Sequence, residues 1–362
     1  MQPGLRRRLA VVAWLVAVAP SVGGAQTTTS EAASLLVFPK VVVDGEWDTT
    51  IQLTNTANRP ARAICYYVNG ALTFPGLPPG PTNPPLWTQV DFRLSLVRQQ
   101  PTQWVVSRGR ELDETDNVCQ PPFTGCVGTG LDPGNVPPVA EGFTGELLCY
   151  EVDASGAPWS GNALIGHATL THVASGAVLK YPAVGSAGLP SNDADGTLCL
   201  GGEPSDACPS GAEYRGCPRS WTVSHPTDFD DRDSDGAASL TRLTVAPCTH
   251  DFLTQQPQTL SLNFISTNEF EQRFSAAAQV TCWTDLALAD VSQVFERDII
   301  GADWAQTEIR SAGQTPGGFR LVQQTAHATV EPERASVVAI VPPQLDGEPQ
   351  ADVIRVAEEN VP

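Results

Sequence analysis

One pattern of strands occurs twice in this chain, and that repetition restricts it to a β-rich, two-part fold. Leu35-Leu36-Val37-Phe38-Pro39 is followed by Thr50-Ile51-Gln52-Leu53-Thr54-Asn55 and then by Ala63-Ile64-Cys65-Tyr66. In the same order, Leu243-Thr244-Val245-Ala246-Pro247 is followed by Thr259-Leu260-Ser261-Leu262-Asn263 and by Gln279-Val280-Thr281-Cys282-Trp283. Each copy reads as apolar strand, proline, alternating strand, polar turn, and a strand ending in Cys plus an aromatic. A tandem duplication of two similar domains accounts for this.

The local pattern agrees. Ile51 and Leu53 alternate with Gln52 and Thr54, and Phe92, Leu94 and Leu96 with Asp91, Arg93 and Ser95. Such a period of two suits antiparallel sheets packed on one face. No helical period is sustained over three turns. The fold expected is all-β: two tandem immunoglobulin-like antiparallel β-sandwich domains, with a loop-rich, cysteine-containing insert between them. The boundaries read as 30–187 for the first sandwich, 188–239 for an acidic Cys-bearing insert, 240–345 for the second sandwich and 346–362 for an acidic tail, expected to fray. Pro75 to Pro85 holds six prolines and reads as a stiff, extended surface loop.

The N-terminus reads as a secretory signal peptide over 1–25. Arg6-Arg7-Arg8 is a basic start, Leu9 to Val22 an apolar stretch too short for a good membrane span, and Gly23-Gly24-Ala25 a small-residue cleavage site. The arginines also admit a twin-arginine reading. Export to the periplasm, cell surface or medium is expected, with no membrane span after signal removal. The formal charge of −19 disfavours nucleic acid and anionic lipid as partners.

Nine cysteines in an exported chain point to disulfides, and no CxxC spacing supports a zinc ribbon or a thioredoxin-like site. The pairs expected are Cys65–Cys149, Cys119–Cys126, Cys199–Cys217 and Cys248–Cys282, leaving Cys208 as a free or intermolecular thiol. Cys199–Cys208 is the alternative within the insert. An unpaired cysteine permits a covalent dimer.

Leu35 to Gly45, Thr50 to Thr56, and Asn268-Glu269-Phe270-Glu271-Gln272-Arg273-Phe274-Ser275 resemble segments of an uncharacterised family of exported bacterial β-sandwich (immunoglobulin-like) proteins, to which no activity is attached. The resemblance implies export and a sandwich fold and carries over no catalytic or binding residue.

The candidate metal site is Asp231, Asp233 and Asp235 followed by Gly236, the first half of a calcium loop. Alternate carboxylates turn toward one ion and the glycine allows the sharp bend. The position normally held by a bidentate Glu is Arg242, so calcium affinity would be weak; a solvated acidic loop is the plainer reading. Asp193-Ala194-Asp195-Gly196 is a fainter echo. Catalytic signatures are missing: no Gly-x-Ser-x-Gly, no His-Glu-x-x-His, no phosphate-cradling loop. His167 and His172 fall on opposite faces of a strand, and His250-Asp251 has no evident serine. Glu269 and Glu271 share a side only if they lie on a strand. Trp283 and Trp304 read as core; Trp87 and Trp159, flanked by Pro and Gly, read as the exposed pair that a carbohydrate-binding module would use. The function expected is a non-catalytic exported interaction or structural module, calcium-stabilised if the loop binds, acting on a protein or glycan of the cell surface. The alternatives are a carbohydrate-binding module and a secreted hydrolase with an unrecognised site.

Overall fold

The computed structural model describes residues 31–77, 82–113, 130–231, 237–313, 317–328, 334–336 and 352–356. The signal-peptide segment, the Cys119–Cys126 pair and most of the tail lie outside them. The fold is all-β with antiparallel sheets. Among the described residues no helix is long and apolar enough to cross a membrane.

The first half is one folded sheet. Its strands are β1 (Leu35–Val43), β2 (Trp47–Asn55), β3 (Ala61–Asn69), β4 (Gln89–Leu96), β5 (Pro101–Val105), β6 (Phe143–Val152), β7 (Leu164–His172), β8 (Val178–Pro182) and β9 (Val184–Ser186). They run in the order β4-β3-β6-β1-β2-β7-β8, with β5 beside β2 and β9 beside β1. The register of β1 against β6 shifts between Phe38 and Val41. Pro39, which has no N–H to give a ladder, sits at that shift. Two sandwich-like layers meet across a core of Ile51, Leu53, Tyr67, Phe92, Leu147 and Leu170. Trp104 Nε1 donates to Tyr67 Oη across it at 2.5 Å.

The second half pairs two sheets. One holds β11 (Ser220–Pro226), β15 (Thr259–Asn268), β16 (Arg273–Thr281) and β18 (Trp304–Ala312); the other holds β12 (Phe229–Asp231), β13 (Ala237–Pro247), β17 (Thr284–Ala287), β19 (Phe319–Ala328) and β20 (Arg334–Ser336). Trp221, Leu243, Val245, Phe264, Ile309 and Leu321 fill the space between them. A third, small sheet ties the halves: β10 (Thr197–Leu200), β21 (Asp352–Arg355) and β14 (His250–Asp251), with β14 parallel to β21.

Several expectations change. The strands β11, β12 and β13 within 220–239 belong to the second half, where Trp221 and Val223 of β11 are core residues; the insert is the shorter stretch before them. Part of the acidic tail is a strand, since Asp352, Ile354 and Val356 are buried. The matching segments are strands in both halves but pair differently. β15 and β16 form a hairpin, whereas β2 pairs β5 and β7 while β3 pairs β4 and β6.

Alternation holds in β2, β7 and β15. It fails in β1, β3 and β6, which are buried almost throughout. Those three strands are covered twice, which is why they read as continuous apolar runs. On their outer side Leu35, Val37, Tyr66, Leu148 and Tyr150 join Leu198 and Tyr214 of the insert, Phe252 and Trp283 of the second half, and Ile354 of the last strand. Tyr66 stacks on Phe252 at 4.5 Å. Trp283 Nε1 donates to the carbonyl of Pro39 at 2.7 Å, and Lys40 Nζ reaches Asp285 Oδ2 at 3.1 Å.

Cys65 is bonded to Cys149 across β3 and β6. In the insert the pair is the alternative one, and the pair expected within the second half is replaced. Cys199 bonds Cys208, not Cys217, and Cys217 bonds Cys248, not Cys282. Among the described residues the free thiol is therefore Cys282 rather than Cys208, and it is buried. Burial pushes that thiol up to about 12, so it stays protonated and shielded. A covalent dimer through it would need the seam to open.

Candidate metal centre

Where Asp231, Asp233 and Asp235 were expected to gather, β12 and β13 pair antiparallel with Asp231 opposite Ala237. Asp233 and Asp235 lie outside the described residues, as does the Asp231 side chain. Arg242, in the place of the loop's last ligand, is directed to another acid: its Nε lies 3.1 Å from Asp285 Oδ2. Asp285 also accepts from Thr244 Oγ1 at 2.9 Å, and Lys40 and Arg242 hold its carboxyl below the usual range despite burial.

The fainter echo is the one the fold assembles. Asp193 and Asp195 sit in a chain of tight turns leading into β10. Asn192 Oδ1 accepts from Ala194 N at 2.9 Å, Asp193 Oδ1 from Asp195 N at 3.2 Å, and Asp195 Oδ1 from Thr197 N at 2.8 Å. Ala194 and Gly196 take left-handed backbone (φ 60° and 84°), which the reversal needs and glycine tolerates freely. Glu213 arrives from beyond the Cys199–Cys208 bond, its N–H donating to the Cys199 carbonyl at 2.9 Å. One carboxylate oxygen from each of Asp193, Asp195 and Glu213 lies within 4.8 Å of the others.

The three acids are not alike. Glu213 is buried, and its oxygens accept from Asp193 N at 2.8 Å and Cys199 N at 3.1 Å. Burial pushes its carboxyl up to about 7, and the Asp193 charge adds to the rise. Asp193 is held below its ordinary range chiefly by the Ser210 hydroxyl, which donates to Oδ2 at 2.5 Å. Hard oxygens of this kind suit calcium or magnesium. They also serve without an ion, since each carboxylate already accepts a backbone N–H of its own loop. A pH dependence follows from Glu213. A carboxyl whose folded value lies above its unfolded one stabilises the fold at low pH, and that contribution is lost as pH rises through about 7. The stability of Glu213→Ala relative to the parent should therefore rise from pH 5 to pH 8 in thermal unfolding; a difference constant with pH would contradict the assignment.

Other expected site residues do not converge. Trp87 is buried, its ring 5.4 Å from His250, so it is not the partner of Trp159, which is exposed. Trp304, expected in the core, is also exposed. Glu269 and Glu271 lie in the turn between β15 and β16, Glu271 at φ 61°, so they do not share a strand face. His250 does acquire an acid, though not a serine. Its Nε2 is 2.8 Å from Glu146 Oε1, at ion-pair distance but out of line for a hydrogen bond, and both side chains are fully buried. Arg320, also fully buried, has no hydrogen-bond partner for its three nitrogens among the described residues. Burial lowers its proton affinity while Glu146 and Asp352 raise it. Sequence reasoning missed this group. Glu146, one of two glutamates in the otherwise largely apolar run Phe143 to Val152, was the available signal.

No protein-family model matches the chain, and no curated protein is similar to it. Among solved structures, the cryo-EM atomic structure of Broad Bean Stain Virus aligns with 93% of this chain and 100% of its own at 8% identity, with a TM-score of 0.12. A likeness that slight carries no argument.

Proposed function

We propose that this is an exported, non-catalytic structural or interaction module of the cell envelope or extracellular space, built as two immunoglobulin-like sandwiches with a disulfide-held insert. The observation that carries the reading is the apolar seam along β1, β3 and β6, to which the insert, the second half and β21 all contribute. A large hydrophobic contact between halves favours one rigid body over a hinged pair. Rigidity suits a spacer or a platform that presents end loops to a protein or glycan of the cell surface. The three described disulfides support an oxidising compartment. Calorimetry of the whole chain tests this: one transition whose calorimetric and van't Hoff enthalpies agree is expected. Two separate transitions, or turnover of chromogenic esters or glycosides, would overturn it.

A second feature of this reading is stabilisation by calcium through Asp193, Asp195 and Glu213, favoured by the proximity of their oxygens. Affinity in the range of extracellular modules, roughly 0.1–1 mM, would make unfolding in about 10 mM calcium occur several degrees above unfolding in chelator. Asp195→Asn should remove that difference. Superimposable curves for the parent would exclude an ion here.

A further inference from the structure

At one end of the first sandwich lies a cleft of about 490 Å³ lined by Trp47, Asp48, Ser107, Val139, Glu141 and Val173 among others. Its size falls within the range of small-molecule sites. Its walls are braced by backbone. Asp44 Oδ1 accepts from Glu46 N at 3.0 Å and Trp47 N at 2.7 Å, fixing the β1–β2 turn that carries the indole. Val173 N donates to Glu46 O at 2.7 Å, Val139 N to Val106 O at 3.0 Å, and Gly142 N to Val43 O at 2.7 Å. The cleft is thus formed before any ligand arrives, which limits the ordering cost of binding.

Its chemistry is one-sided. Trp47 supplies an aromatic surface, its ring set edge to face with His172 at 5.1 Å. Asp48 is fixed from behind, accepting from Thr49 N at 2.8 Å and Ser107 Oγ at 2.5 Å. Glu141 is exposed and lies over Gly45, where a Cβ would come within 2.6 Å of Glu141 Oε1. Among the described residues no lysine or arginine lines the cleft, and the whole chain carries a formal −19. An indole beside two carboxylates, with apolar valines around them, is the environment in which a cation with greasy substituents gains on every side: ring quadrupole, opposite charge and apolar contact. We propose that this cleft binds an organic cation of the ammonium type.

The inference does not depend on the scaffold reading or on the acidic turn. Titrating the full chain with tetramethylammonium chloride at low salt, by calorimetry and saturation-transfer NMR, tests it. Saturable binding at roughly 0.1–10 mM is expected for one cation–aromatic contact with partly screened carboxylates. Binding should weaken about five- to tenfold in Glu141→Gln and in Trp47→Leu, and fall as salt is raised. Glu141→Gln touches an exposed side chain, so its melting temperature should equal the parent's and keep the test clear of folding defects. Absence of saturation at about 100 mM would overturn the proposal. Equal binding of neutral tert-butanol, preference for methyl pyranosides, or indifference to Glu141→Gln would overturn it as well.

Discussion

Trp283→Ala should cost about 3–5 kcal/mol of stability and separate the unfolding of the two halves. Trp283 is buried in the seam and donates to the Pro39 carbonyl, so truncation opens a cavity and strands a buried acceptor. The surroundings are poorly placed to collapse into the space. Gly70 backs the indole so closely that a Cβ there would lie 2.6 Å from Trp283 Cε3, which shows how fully both backbones are committed to the ring. Denaturant unfolding followed by fluorescence and by far-UV dichroism is the measurement. Non-coincident curves are expected for the variant and coincident ones for the parent. A single coincident transition, with a loss below about 1 kcal/mol, would mean the seam does not couple the halves.

Glu146→Ala should be as damaging, by about 3–5 kcal/mol, for an electrostatic reason. The variant leaves buried His250 without the carboxylate at 2.8 Å and buried Arg320 without the Glu146 charge. Replacing the whole group is a different matter. Glu146→Leu with His250→Leu and Arg320→Met removes three polar side chains together, and its cost should be far smaller than that of Glu146→Ala, because the acid that remains, Asp352, still accepts from Gly318 N and Thr249 Oγ1. Urea unfolding of both variants decides it. A triple variant less stable than Glu146→Ala would show that the ions contribute net stability.

The sandwich layers were legible because strands wet on one face must alternate: Ile51 and Leu53 announce β2, and Leu260, Leu262 and Phe264 announce β15. The seam was not, since a doubly covered strand such as Leu35–Val43 reads the same whichever element covers it. Cysteine connectivity failed for a related reason. Spacing limits which loops can close but not which strands lie side by side, and Cys248 meets Cys217 because the insert folds back over the seam. The tail misled through composition alone: Asp352 looks solvated in sequence, yet its carboxylate accepts from Gly318 N at 3.0 Å and Thr249 Oγ1 at 3.1 Å. Of the two acidic turns, the stronger motif has its last ligand position filled by an arginine already paired with Asp285. The weaker one gains Glu213 from a segment that no local pattern could supply.

The strand Asp352–Arg355 imposes an order of events on synthesis. It lies between β10 and β14 in hydrogen-bonded order, and Ile354 and Val356 sit against the outer side of the first half's sheet. The ribosome makes this strand after every other described segment. Until it emerges, β10 and β14 have no common neighbour, and part of an apolar sheet face stays bare. The nascent chain therefore remains unsealed until Asp352 to Val356 is made, a state in which a holding chaperone can still grip it.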